Sequence, residues 1–167
     1  MTGSSGLRRS AVCALVLVPI ELIVAACAQH PSVTTTPLAT AAVTAAAAKQ
    51  QMVGAVDDLT GRLGGDWEQG TGPDYAEACR LPDGDTGAKW TYFLTRAQTG
   101  DVSADAAKVE ARWKDRGMSI DHLGTKAEPT VIGRGGDHTD SISFSVAPGL
   151  YVIQSVSLCF PGDADQL

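Results

Sequence analysis

The side chain with the most definite chemistry in this sequence is the thiol of Cys27. It closes the stretch Val24-Ala25-Ala26-Cys27, at the end of an apolar run that begins at Ala11, just after the cationic pair Arg8-Arg9. A charged start, a short apolar segment and small residues directly before a cysteine form the pattern of a bacterial lipoprotein leader. Cleavage precedes the cysteine, whose thiol is diacylated and whose amine becomes the new N-terminus. An uncleaved membrane span is the competing reading, and it needs about 20 apolar residues to cross about 30 Å of hydrocarbon. The run from Ala11 to Ala28 is shorter and contains Pro19 and Glu21, and a carboxylate near the centre of a span costs about 2.5–3.5 kcal/mol. A plain secretory leader is the second reading. Cys13 has no apolar segment upstream, and Arg8-Arg9 lacks the flanking residues of a twin-arginine signal.

An acylated Cys27 leaves two cysteines in the mature chain, Cys79 and Cys159. In an oxidising exterior two such thiols are expected to pair. The loop they would close is about 80 residues, for which the chain-entropy model gives roughly 4–5 kcal/mol. Two buried free thiols are the alternative. Nucleophilic use of Cys79 has little support, because Tyr75-Ala76-Glu77-Ala78-Cys79 has no neighbouring histidine to generate a thiolate.

Other groupings of reactive side chains are weaker. Asp83-Gly84-Asp85-Thr86-Gly87 begins like a calcium loop, yet the twelfth position, where a bidentate Glu is required, is Leu94. An ordinary solvated turn is expected there. Gly135-Gly136-Asp137-His138-Thr139-Asp140, with Asp121-His122, concentrates imidazole and carboxylate groups of the kind that hold zinc. Their spacing fits no helical or strand pair of ligands, so a hairpin loop is expected and no metal is assigned. No Gly-x-Ser-x-Gly elbow, phosphate-cradling glycine loop or His-Glu-x-x-His is present, so no catalytic residue is assigned, and no cofactor. Trp67, Trp90 and Trp113 could line a cleft for an apolar ligand. Packing in the core is the plainer reading of the same three residues.

The elements that must position these groups follow from patterning. Residues 1–26 form the leader. Residues 27–48, rich in Ala, Thr and Pro, lack the apolar side chains to offset chain entropy and read as a tether. Met52, Val53, Val56, Leu59, Thr60 and Leu63 recur at three- and four-residue spacing and predict a helix from about Thr44 to Leu63, with Gly64-Gly65 as its stop. Asp57, Asp58 and Arg62 fall on its other face. Residues 70–88, with Gly, Pro and Asp, read as an irregular crossing that holds Cys79. Lys89–Arg96 alternates as a strand. A second helix is expected over Ser103–Arg116, with Ser103 as N-cap and Ala106, Val109 and Trp113 as its apolar stripe. Strands are expected at Met118–Leu123, Thr130–Gly133, Ser141–Val146 and Leu150–Phe160, the last two joined by the turn Ala147-Pro148-Gly149.

The expected fold is therefore α+β, with two helices packed on one face of a mainly antiparallel β-sheet and stapled by one disulfide. The globular domain spans 49–162, followed by a tail at 163–167. The chain has 19 acidic and 13 basic side chains, net −6, and loss of Arg8, Arg9 and Glu21 with the leader leaves 18 against 11, net −7. Such a surface repels phosphate backbones and anionic headgroups, so no nucleic-acid partner is expected and contact with the membrane runs through the lipid on Cys27.

The layout as a whole has a counterpart. It comprises a lipobox, a tether, an amphipathic helix ending near Trp67 and Cys79 in the segment that follows. A helix opening Val102-Ser103-Ala104-Asp105-Ala106 comes next, and Cys159-Phe160 closes the final strand. In this it resembles the small LppA-type lipoproteins of mycobacteria and related actinobacteria, over most of residues 49–162. The resemblance implies a membrane-tethered α+β domain with one disulfide and offers no catalytic residues. The resulting expectation is a lipid-anchored, non-enzymatic protein on the extracytoplasmic face of the cell membrane that contacts another envelope or secreted component. A carrier of a small apolar ligand in a helix–sheet cleft is one alternative. A phage-encoded exclusion lipoprotein is another.

Overall fold

The structure is a computed structural model and describes residues 42–136 and 138–167. The leader and Cys27 lie outside the described residues, as does most of the tether. The first described element is helix α1 (Ala45–Leu63). Thr44 caps it, its hydroxyl accepting a hydrogen bond from the Ala47 amide at 3.2 Å, which satisfies one of the free donors of the first turn. Gly64 ends it at φ +64°, a backbone region that favours glycine, and its amide donates back to the Thr60 carbonyl. Ala48, Met52, Ala55, Val56 and Leu59 form the buried stripe. The tether boundary expected at residue 48 thus falls too late, because the alanines before Lys49 belong to the first turn of α1 and Ala48 is fully buried.

The segment 70–88, expected to be irregular, is instead most of a long hairpin. Strand β1 (Glu68–Arg80) pairs antiparallel with strand β2 (Thr86–Ala97). Its composition hides it, since Gly, Pro and Asp are depleted in strands. A strand at the edge of a sheet tolerates proline, however, because only one of its two sides needs amide donors. Two register shifts, between Gln69 and Thr71 and between Thr71 and Tyr75, absorb the irregular stretch around Pro73.

Helix α2 (Val102–Asp115) follows. Its N-cap is Asp101, not Ser103. The Asp101 carboxylate accepts from the amides of Ser103 (2.9 Å) and Ala104 (3.1 Å). A carboxylate is suited to this place, being opposite in sign to the helix N-terminus. A meander then closes the sheet through β3 (Ser119–Gly124), β4 (Pro129–Gly135), β5 (Thr139–Ala147) and β6 (Leu150–Val156). The strand order is β1-β2-β6-β5-β4-β3, and every pairing is antiparallel.

The final strand stops at Val156 rather than running to Phe160. Beyond it the chain stays beside β2 by single contacts. Ser157 exchanges hydrogen bonds with Trp90, and Phe160 bridges to Ala88. The tail also belongs to the fold, since it forms a 3₁₀ turn (Ala164–Gln166) and Ala164 packs on the apolar cluster around Trp90 and Phe160.

Register shows why both helices share one face. Leu94, Ile153, Phe144, Val131 and His122 stand opposite one another in a row across five strands. The four apolar members of this row are buried with Val56 and Leu59 of α1 and Val109 and Trp113 of α2. The neighbouring row, Thr95, Val152, Ser145, Thr130 and Leu123, points the other way, as the two-residue period requires. The domain is α+β, with two helices on one face of a six-stranded antiparallel sheet.

Candidate functional site

Cys79 and Cys159 form a disulfide, with a Cα–Cα distance of 6.0 Å and 80 residues between them. It joins the end of β1 to the segment after β6, so the sheet's outermost hairpin is bonded to the far end of the chain. Gly87, opposite Cys79 in the ladder, leaves room for the bridge, since a Cβ there would lie 3.0 Å from the Cys159 sulfur and 2.6 Å from the Phe160 carbonyl oxygen.

The three tryptophans are not brought together. Trp90 belongs to a small apolar cluster with Ala48, Met52, Ala88 and Phe160, whereas Trp113 lies in the main core and Trp67 packs on its margin. Two of the indole N–H groups are engaged, that of Trp90 on the Ala45 carbonyl (2.9 Å) and that of Trp67 on the Gly64 carbonyl (3.1 Å). Lys49 Nζ sits 4.0 Å over the Trp90 ring and also pairs with Asp74. These contacts are those of anchored packing residues.

Patterning gave no hint of the buried polar groups. Arg96 is 7% exposed, and its guanidinium lies 5.0 Å from the ring centres of both Trp67 and Tyr151. It donates to the Leu63 and Gly64 carbonyls, so a cation caps the negative end of α1. Tyr151, fully buried, donates its hydroxyl to Asp105 at 3.0 Å, and Asp105 also pairs with Lys108. Burial, then the hydrogen bond to that carboxylate, pushes the Tyr151 phenol above its ordinary range. Asp105 therefore ties the start of α2 to β6.

Asp58, expected on the solvent face, instead joins the two helices. Its carboxylate accepts from Arg112 at 2.8 and 3.0 Å and from Arg62 at 3.2 Å. Burial alone would raise its pKa, but the bonds and charge of Arg112, with help from Arg116 and Arg62, outweigh that and hold it below the usual carboxylate range. On the outer side of α2, Glu110 is likewise held low, chiefly by its bond from Lys114 and then by that to His122, 3.0 Å away.

The loop groupings resolve into local contacts. In Asp83–Asp85, the turn between β1 and β2, the Asp83 carboxylate accepts from the Asp85 amide and Arg80 donates to the Gly84 carbonyl. Asp121 pairs with Arg134 and His122 with Glu110, while Asp137 lies outside the described residues. Among the described residues, no three His, Cys, Asp or Glu side chains converge on a point that could hold a metal ion. Nor, among them, is any helix long and apolar enough to cross a membrane.

The described surface carries several open grooves, one of them against Trp90 beside Ala45, Lys49 and Val53. Between α2 and β3 lies a groove of about 540 Å³, lined by Ala106, Ala107, Glu110, His122, Lys126 and Val131 among others. His122 reaches it because its row faces the helices, whereas Leu123, one residue on, is 61% exposed.

No protein-family model matches the chain, and no curated protein matches it. Among solved structures, a DUF4853 family protein from Actinomyces odontolyticus is similar in fold, at 16% identity and a TM-score of 0.49. The similarity covers 70% of this chain and 65% of that one, so the chain spans less than two thirds of that structure.

Proposed function

We propose that this chain is a lipid-anchored protein of the cell envelope whose folded part is a non-enzymatic binding module held outside the membrane. The observation that carries the reading is Val24-Ala25-Ala26-Cys27 at the end of the apolar run. The Cys79–Cys159 bridge supports it, because disulfides persist in oxidising compartments and are rare in the cytosol. The resemblance of its layout to that of LppA-type lipoproteins supports it as well.

On this reading, the engaged polar side chains hold the scaffold together, and the sheet's exposed parts are what a partner meets. The test is fractionation and intact-mass measurement of the full chain beside a Cys27→Ser variant. The expected result is membrane-bound wild type carrying an acyl mass, and a variant released from the membrane without it. A wild type lacking the acyl mass, with a variant that stays in the membrane, would overturn the anchor.

A further inference from the structure

We infer that the outer edge of β3, with the groove under α2, takes up an extended segment of a partner polypeptide as a seventh strand. The inference rests on reading the domain as a binding module and names the surface it would use. The sheet has two edges, and β1 is the more heavily blunted. β1 carries Pro73, two register shifts and the charges Glu68, Asp74, Glu77 and Arg80, all of which discourage pairing. β3 pairs with β4 without a break from Ser119 to Gly124, contains no proline, and has five of its six residues exposed. Among the described residues nothing pairs with its outer side. Its unpaired amides and carbonyls are therefore a template for one more strand.

Helix α2 supplies a second reason. Its stripe Asp105, Val109 and Trp113 is buried, while Ser103, Ala106, Ala107 and Glu110, spaced three and four apart, line the groove beside β3. The small alanines leave volume where a helix over a complete sheet would meet side chains. Alternate residues of an added strand point toward the helix layer, so they would enter this groove. Main-chain bonds to β3 would then give affinity and the groove would give side-chain preference.

The occupant is a segment rather than a second copy, because a six-residue edge about 20 Å long and one layer, about 10 Å, deep offers only about 200 Å², far short of the roughly 800 Å² per partner that a stable dimer buries. Charge adds a preference. Residues 66–89, at the β1 edge, hold six acidic side chains against Arg80 and Lys89, whereas residues 101–136 hold six of each sign. Lys126, at the rim of the groove, has no ion-pair partner among the described residues. The segment that fits has small apolar residues at alternate positions and a carboxylate near Lys126.

The probes are two synthetic hexapeptides, Thr-Val-Thr-Val-Thr-Asp and Thr-Val-Thr-Val-Thr-Lys, titrated calorimetrically into the full chain in mild detergent. Hydrogen exchange locates the bound peptide. The expected result is saturable binding with protection at 119–124 and 103–110, and affinity about fivefold higher for the Asp peptide. Ala107→Trp, an exposed position, should weaken both by about tenfold with an unchanged melting temperature. Lys126→Glu should reverse the peptide preference. Protection at 68–80 instead, a concentration-dependent dimer, equal affinity in Ala107→Trp, or no binding of either peptide would overturn the inference. Binding is read whether or not Cys27 is acylated, so failure here is separate from failure of the anchor.

Discussion

Among the described residues there are two apolar clusters, one beneath both helices and one beneath α1 alone, and they are built differently. The main one gathers Leu94, Val131, Ile142, Phe144, Tyr151 and Ile153 from four strands, sealed by both helices, with Trp113 of α2 among them. The smaller one has five buried residues, Ala48, Met52, Ala88, Trp90 and Phe160, and two of them are alanines. Only the first half of α1 contributes to it. Its other wall is a chain end, which rejoins β2 by single contacts at Ser157 and Phe160. The disulfide crosses at that end. The contrast teaches that the covalent link stands where apolar burial is thinnest, beside a strand whose own sequence favours pairing least.

The sharpest way to break this comparison is to remove the bridge. Replacing Cys79 and Cys159 together by alanine should cost about 4–5 kcal/mol on the chain-entropy model and lower the melting temperature by about 10 °C or more. Hydrogen exchange should show the loss concentrated in residues 68–80 and 157–166, with β4 and β5 less affected. Equal loss of protection in both regions would mean that the two clusters are not separable in this way.

A smaller effect tests the main cluster. Tyr151→Phe keeps the ring but deletes the hydroxyl that Asp105 accepts from, leaving a nearly buried carboxylate short of a donor. A cost of about 1–3 kcal/mol is expected, read from the denaturant midpoint at neutral pH. It should fall on α2 and β6 and leave the disulfide end unchanged.

The least effect is expected from acid. Asp58 and Glu110 both have pKa values held below their ordinary ones. A depressed folded-state pKa adds stability that is present above the unfolded value and lost as pH falls through the folded one. The Asp58 contact between α1 and α2, and the Glu110 contact between α2 and β3, should therefore weaken below about pH 4, near the ordinary carboxylate values. Asp58→Asn should be less stable than wild type at neutral pH and show a flatter decline below pH 4. A variant with the same acid limb as wild type would show that the Asp58–Arg112 pair contributes nothing.

Much of this fold could be read along the chain. Met52, Val56 and Leu59 marked the buried stripe of α1, the serines alternating with Ile142, Phe144 and Val146 marked β5, and counting cysteines paired Cys79 with Cys159. These are local periodicities or questions of supply, which one sequence states directly. Glu68–Arg80 was illegible because its side chains have no strand pattern of their own. It becomes a strand only because β2 offers it a backbone partner. Asp101 was passed over as a cap for Ser103 because both are good capping residues, and only the course of the entering chain separates them.

The two helices and most of the meander were legible from spacing within a segment, and the cysteines left once Cys27 is set aside made a disulfide the expectation over two free thiols. Tertiary structure alone decided that Arg96 is buried between Trp67 and Tyr151, that Asp58 bridges two helices, and that the tryptophans go to different clusters. It also put β1 and β3 at opposite edges of one sheet, where, among the described residues, the outer side of β3 has no strand partner. These outcomes depend on which faces meet across dozens of residues, and that is set when apolar rows from separate strands are buried together.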